Sequence, residues 1–151
     1  IEHHEKGRKP VIMVDEANML RNKEVLEEFR GLLNLEVPGS KLLTFILVGL
    51  PELDEWLMQD TPLKQRIALR FTLHALSQQA TRGYIEHRLK IAGAAKTIFS
   101  ESALAAIYKH SQGIPRLINT ICDNALLEGF LIKAPVIEVP MIEDVVVGLG
   151  L

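Results

Sequence analysis

Cysteine is nearly absent from the 151 residues: Cys122 stands alone. One thiol excludes a disulfide framework and a cysteine-based zinc site, and it is compatible with a reducing compartment. Long hydrophobic runs are missing too. Leu42-Leu43 and Phe45 to Val48 fall far short of the roughly 20 apolar residues a membrane helix needs, so no direct membrane insertion by this segment is expected. Neither charge sign dominates. Lys and Arg number 17 against 19 Asp and Glu, for a formal net charge of -2 and a pI of about 6.2. Phosphate contacts need clustered cations, and only Lys6, Arg8 and Lys9 cluster; nucleic acid is therefore not the expected partner. No signal peptide opens the chain, because Ile1 to Pro10 is polar and charged. The start lacks a methionine and reads Glu2-His3-His4-Glu5-Lys6, like the tail of a surface helix. A fragment of a longer protein is expected, with a trimmed or tagged start as the other reading. His3 and His4 are adjacent, whereas metal ligands on one helix face need i,i+4 spacing, so no metal site is assigned there.

What is present alternates strand and helix in the first half. Pro10 precedes Val11-Ile12-Met13-Val14, a run of the kind that forms a fully buried strand. Asn22 is a natural N-cap, followed by Val25, Leu26, Phe29, Leu32 and Leu33 at helical spacing. Pro38-Gly39-Ser40 signals a loop, and Leu42 to Val48 a second buried strand closed by Gly49. Pro51 opens a helix that turns Leu53, Trp56 and Leu57 inward. Thr61-Pro62 starts a short helix, and Leu69, Phe71 and Leu73 then alternate as in a third strand.

From Ser77 the pattern is helical only. Ser77 and Ser100 are cap residues, and Phe99 with Leu104 forms a hydrophobic staple. Gly113 ends one helix and Pro115 opens the next, whose buried face holds Leu117, Ile118, Ile121, Cys122, Ala125 and Leu126. A last helix begins near Pro140. The fold class is therefore α/β followed by an all-α bundle, with domains 1–75 and 76–151.

Three features can carry chemistry. Asp15-Glu16 follows a strand whose end is where ligands of open α/β sheets bind. One acid there can hold a hydrated magnesium ion, and the other can orient or deprotonate a water attacking a phosphoryl group. Two acids after a strand also read as a solvated turn. Gly113-Ile114-Pro115-Arg116 fixes an arginine in the first turn of a helix, where a guanidinium can fork onto phosphate oxygens or remain a surface cation. Arg66 and Arg70 flank the short helix and the third strand, as trans-acting cations or as ordinary surface charges.

Together these blocks resemble a known family. Asp15-Glu16-Ala17, Leu26-Glu27-Glu28-Phe29-Arg30, Leu47-Val48-Gly49-Leu50-Pro51-Glu52-Leu53, Gln65-Arg66-Ile67, Tyr84-Ile85-Glu86-His87-Arg88-Leu89 and Gly113-Ile114-Pro115-Arg116-Leu117-Ile118-Asn119 are similar to the AAA+ ATPases of general secretion pathway protein A, the ExeA/GspA group. The resemblance runs from about Lys9 to Ile132.

It implies a P-loop (AAA+) parallel-sheet core followed by a helical lid, with ATP and Mg as cofactors. Asp15 would be the magnesium-side Walker B acid and Glu16 the catalytic base. Arg66 would be the arginine finger with Arg70 the second candidate, and Arg116 the sensor 2 arginine. It further implies assembly work in type II secretion at the cytoplasmic face of a bacterial inner membrane, with sister subunits and a membrane protein as partners. Two departures stand out. Leu50 replaces the usual glutamine near sensor 1 and cannot hydrogen-bond a water or phosphate, and Asn18 stands where glutamine is usual. No Gly-x-x-x-x-Gly-Lys-Ser/Thr occurs in the chain, so these residues alone are expected to be inactive toward ATP. A DNA-associated AAA+ ATPase of the transposition-helper or replication-initiator type, and a non-catalytic interaction module, are the alternative readings.

Overall fold

The β-branched run after Pro10 forms a strand, and Asn22, Ser77 and Ser100 each cap a helix. The computed structural model describes residues 8–20, 22–37 and 40–151; Lys6, the His3-His4 pair and the Pro38-Gly39 part of the loop signal lie outside them. In chain order the elements are β1 (Val11–Val14), a 3-10 turn (Ala17–Met19), α1 (Lys23–Leu33), β2 (Glu36–Val37), β3 (Ser40–Lys41), β4 (Thr44–Leu47), α2 (Glu52–Gln59), α3 (Thr61–Lys64), α4 (Gln78–Ile91), α5 (Glu101–Ser111), α6 (Pro115–Leu131) and α7 (Val139–Leu149). They fall into two compact units, residues 1–71 and 72–151.

In the first unit β1 and β4 pair in parallel, with Ile12 opposite Phe45 and Val14 opposite Leu47. The ladder runs past both ends: the Thr44 N–H donates to Pro10 O at 3.0 Å, and the Val48 N–H to Val14 O at 2.9 Å. Side chains alternate across a strand, so Val14, Phe45 and Leu47 share one face and pack on a core of Ala17, Phe29, Leu53, Leu57 and Leu63. Phe29 and Phe45 meet edge to face with ring centroids 4.8 Å apart. β2 and β3 form a small antiparallel ladder, Glu36 opposite Lys41. The Asn22 side chain accepts the Glu24 N–H at 2.9 Å and caps α1.

Three expectations fail here. The second strand spans Thr44–Leu47 instead of Leu42 to Val48 and is not buried, with Ile46 42% and Val48 38% exposed. The first strand is not fully buried, since Val11 is 57% exposed and Met13 66%. A strand buries completely only when both sheet faces are covered, and the face of Val11, Met13 and Ile46 has no layer over it among the described residues. Leu69, Phe71 and Leu73 form no strand, and Leu73 is 94% exposed. Alternation alone does not make a strand; the backbone needs a ladder partner, and none stands beside this segment among the described residues.

The second unit is a four-helix bundle around one core. Ile107, Ile118, Ile121 and Ile142 are each at most 1% exposed, and burial of one such side chain contributes about 1.5–3 kcal/mol. On α6 the buried positions Ile118, Ile121, Cys122, Ala125 and Gly129 trace a single helical stripe. Ser77 accepts the Ala80 N–H and Ser100 the Ala103 N–H, both at 3.2 Å. Phe99 and Leu104 are both buried beside the second cap. Ala92 is the exposed C-cap of α4.

Candidate functional site

β1 delivers its two acids to the carboxyl end of the sheet. Asp15 Oδ1 accepts the Glu16 N–H at 2.8 Å, and both residues are exposed. Glu16 has φ 52° and ψ 34°, a left-handed conformation that costs a non-glycine residue about 1–2 kcal/mol. The surrounding bonds hold it there: the Ala17 N–H donates to Val48 O at 2.9 Å, and Met19 N–H returns to Glu16 O at 2.8 Å. Strain of this kind persists where the structure over-determines it, commonly at functional sites. The Glu16 carboxylate has no hydrogen bond or ion pair among the described residues.

The end of β4 closes on the same turn. Asn18 is buried, and its Oδ1 accepts the Leu50 N–H at 3.2 Å. A Cβ at Gly49 would lie 2.9 Å from Asn18 Oδ1 and 3.0 Å from Leu53 Cδ2, so the close packing of turn, strand end and α2 needs glycine at this position. The Leu50 side chain is 61% exposed beside this contact.

Arg66 and Arg70 sit differently. Arg70 Nη1 pairs with Asp54 at 2.7 Å, and its guanidinium also lies 3.8 Å from Met58 S. Arg66 is exposed, with no hydrogen bond or ion pair among the described residues. Its charge is felt at Glu36, whose carboxyl is held below the ordinary range chiefly by the hydrogen bond and charge of Lys41, with Arg66 adding to the effect.

α3, the helix that leads to Arg66, is anchored at its first turn by Asp60. One carboxylate oxygen accepts the Leu63 N–H at 3.0 Å and the other accepts Arg30 from α1. Burial opposes ionisation of Asp60, but the bonds from Arg30 and Leu63 and the Arg30 charge outweigh it and hold the carboxyl below its ordinary range. No sequence signal pointed to this clamp, whose partners are 30 residues apart; the Asp-x-x-Leu cap at Asp60 is the one trace of it.

In the second unit Gly113 adopts φ +74°, and a Cβ there would lie 1.9 Å from Leu76 O. The Leu76 N–H donates to Gly113 O at 2.9 Å, so glycine alone lets the segment before α4 lie against the turn before α6. Pro115 occupies the first turn of α6, and Arg116 follows it, exposed and without a side-chain partner among the described residues. Behind it, Asn119 Oδ1 accepts from Tyr84 OH at 3.0 Å and from Arg88 Nη1 at 2.5 Å. The Tyr84-to-Arg88 block and the Asn119 end of the Gly-Ile-Pro-Arg block are thus two halves of one α4–α6 contact, which the sequence did not reveal. Asp15 and Glu16 belong to the first unit with Arg66 and Arg70; Arg116 belongs to the second.

Residues 1–57 match the AAA domain family. The chain is 45% identical over 126 residues to general secretion pathway protein A of Aeromonas hydrophila. That match covers 82% of this chain and 23% of the relative, so the chain spans about a quarter of the length of the curated protein it matches. Among solved structures, a Thermotoga maritima RuvB mutant superposes with a TM-score of 0.70 at 20% identity, over 93% of this chain and 45% of that one. The Aeropyrum pernix ORC2 protein in its ADP form gives 0.72 at 13% identity, over 96% of this chain and 41% of that one. At those identities the two structures speak for the fold alone. No helix among the described residues is long and apolar enough to cross a membrane. Residues 1–57 are a fragment of an AAA domain, and the chain, a short parallel sheet followed by a helical bundle, is similar over 126 residues to general secretion pathway protein A.

Proposed function

We propose that the chain is the rear part of an ATP-hydrolysing module, residues 1–75 completing the α/β core and 76–151 forming its lid. The observation that carries this reading is the acid pair at the carboxyl end of β1, with Glu16 held in a left-handed conformation and its carboxylate without a partner among the described residues. The residues fit magnesium and a nucleotide: Asp15 keeps one oxygen clear of the Glu16 N–H bond, and magnesium favours one or two carboxylates supplemented by water and phosphate oxygens. When bound, Mg-ATP supplies the phosphoryl group that water attacks. Asp15 would hold the metal through its water shell, and Glu16 would accept the proton of the attacking water or orient it.

Arg66 is the cation offered to a neighbouring subunit, because it has no ion pair among the described residues while Arg70 is engaged with Asp54. Arg116, at the start of α6, reads the nucleotide from the lid. The 151 residues contain no Gly-x-x-x-x-Gly-Lys-Ser/Thr sequence, so alone they bind Mg-ATP weakly and do not turn it over; turnover needs a protein that also carries a phosphate-binding loop. By homology with general secretion pathway protein A, that protein spends ATP on assembling a secretion-pathway complex at the cytoplasmic face of the inner membrane, with sister subunits and a membrane protein as partners.

The test mixes two variants of the loop-containing protein, Glu16→Gln and Arg66→Ala, each inactive alone. Recovery of ATPase activity on mixing is expected, since each supplies the half-site the other lacks. Mixed oligomers that form and stay inactive would remove Arg66 from the trans role, and recovery with Arg70→Ala in its place would transfer that role. DNA-stimulated turnover with salt-sensitive DNA retention would instead favour the DNA-associated reading.

A further inference from the structure

The second unit carries an apolar groove that the nucleotide reading does not use. It lies between the end of α6 and the start of α7, closed at one side by the connection between them, and encloses about 570 Å³. Its apolar lining includes Leu131, Ile132, Val136 and Met141, and its charged lining is Glu128, Glu138 and Asp144. Spacing places these residues: Glu128 and Leu131 are i and i+3 on α6, Ile132 is its C-cap, and Met141 and Asp144 are i and i+3 on α7.

Two properties single the groove out. Leu131 and Ile132 are each 69% exposed, and Phe130 beside them 80%, although the stripe of α6 that builds the core lies elsewhere, at Ile118, Ile121, Cys122 and Ala125. The bundle does not need these side chains, and contiguous apolar surface on a soluble protein marks an interaction site. The charged lining is of one sign. None of its three carboxylates has an ion-pair partner among the described residues; of the unit's other carboxylates Glu86, Glu101 and Glu143 are paired and Asp123 is not. No Lys or Arg lines the groove; Lys133 sits on the α6–α7 connection outside the lining.

We propose that this groove docks a short amphipathic helix of a partner protein, one that presents two apolar side chains one turn apart with lysines or arginines beside them. An apolar lining takes i and i+4 anchors of such a helix. The unpaired carboxylates then give register and speed of encounter, because complementary charge steers association. The acidic lining disfavours an anionic lipid surface. The inference stands apart from ATP hydrolysis and would hold for a non-catalytic module as well.

The probe is a fluorescein-labelled helical peptide of 14 residues with leucines at i and i+4 flanked by lysines, titrated with the 151-residue chain and read by anisotropy. Its control has the same composition, with the leucines moved off a common face. Binding is expected for the amphipathic peptide, weaker by tenfold or more for the control and weakened further by added salt. Leu131→Asp, or Ile132→Asp as a second apolar probe, is expected to weaken it tenfold or more, and so is Glu128→Lys combined with Asp144→Lys. Equal binding of both peptides, or affinity indifferent to Leu131→Asp and Ile132→Asp, would overturn the proposal. A concentration-dependent dimer of the wild-type chain, abolished by Leu131→Asp, would overturn it too by assigning the groove to a second copy.

Discussion

Gly113→Ala separates the structural role of the Gly-Ile-Pro-Arg turn from any role in nucleotide sensing. The residue has φ +74°, which costs alanine about 1–2 kcal/mol. Its Cβ would also stand 1.9 Å from Leu76 O and 2.9 Å from Leu76 N and C. Those are backbone atoms, held by the Leu76-to-Gly113 hydrogen bond, so relief requires the segment before α4 to move. Overpacking of this kind costs roughly 1–3 kcal/mol. The sum is a destabilisation of about 2–5 kcal/mol, or roughly 30- to 5,000-fold in the opening equilibrium. Cys122 reports it. It is the sole cysteine, it is buried, and burial, with Asp123 adding to the effect, pushes its thiol up to about 12; the folded bundle therefore resists alkylation. Under conditions where closing outpaces reaction, iodoacetamide should label Gly113→Ala faster by that factor. Gly83→Ala and Gly148→Ala are the controls. Both are helical with nothing within 4 Å of the added Cβ, and alanine there should slow labelling or leave it unchanged. Labelling of Gly113→Ala at the wild-type rate would refute the steric argument.

Asp60→Ala removes both the cap of α3 and the partner of Arg30, whose Nε is already buried without a partner. The cap contributes about 1 kcal/mol and the stranded guanidinium adds to the loss, so urea unfolding of the first unit, followed by the single tryptophan Trp56, should shift to lower denaturant; an unchanged midpoint would dismiss the clamp. Glu143 is held below its ordinary value mainly by the hydrogen bond from His110. A depressed carboxyl contributes stability that is fully present above its unfolded value of 4.5 and fades as the pH falls through the lower folded value. Circular dichroism of the chain should therefore show Glu143→Gln less stable than wild type at pH 6, with the difference shrinking below pH 4.5; a difference constant down to pH 2 would contradict the linkage.

The local signals were the most legible. Ser, Asn and Pro at helix starts have short-range physical consequences, and Asn22, Ser77, Ser100 and Pro115 all act where the sequence put them. The acid pair was visible because a β-branched run ends in two carboxylates, and its position at the end of a parallel strand follows. The left-handed turn at Glu16 was not visible, since nothing in Asp-Glu-Ala requires it; beside the local bonds to Asp15 and from Met19, the bond that fixes the turn against the sheet goes to Val48, more than 30 residues away. The same distance hid Arg30–Asp60 and the Tyr84–Arg88–Asn119 contact. Burial was read too generously for β1 and for Leu69 to Leu73, because an apolar run states what a segment can bury and not whether a covering layer or a ladder partner stands beside it. By residue pattern alone Arg66 and Arg70 read alike, and only the resemblance ranks Arg66 first; in the fold Arg70 pairs with Asp54, four residues before Met58 on the face of α2 that it meets.

The central claim is that Asp15 and Glu16 form a hydrolytic centre. Its most direct test is Glu16→Gln in the protein that joins this chain to a phosphate-binding loop, with Mg-ATP binding and steady-state turnover measured on one preparation. Loss of the general base should lower turnover by about 10²–10⁴-fold while the ATP dissociation constant stays within a few-fold of wild type, because the amide keeps the size and loses the basicity. Wild-type turnover in Glu16→Gln would contradict the account.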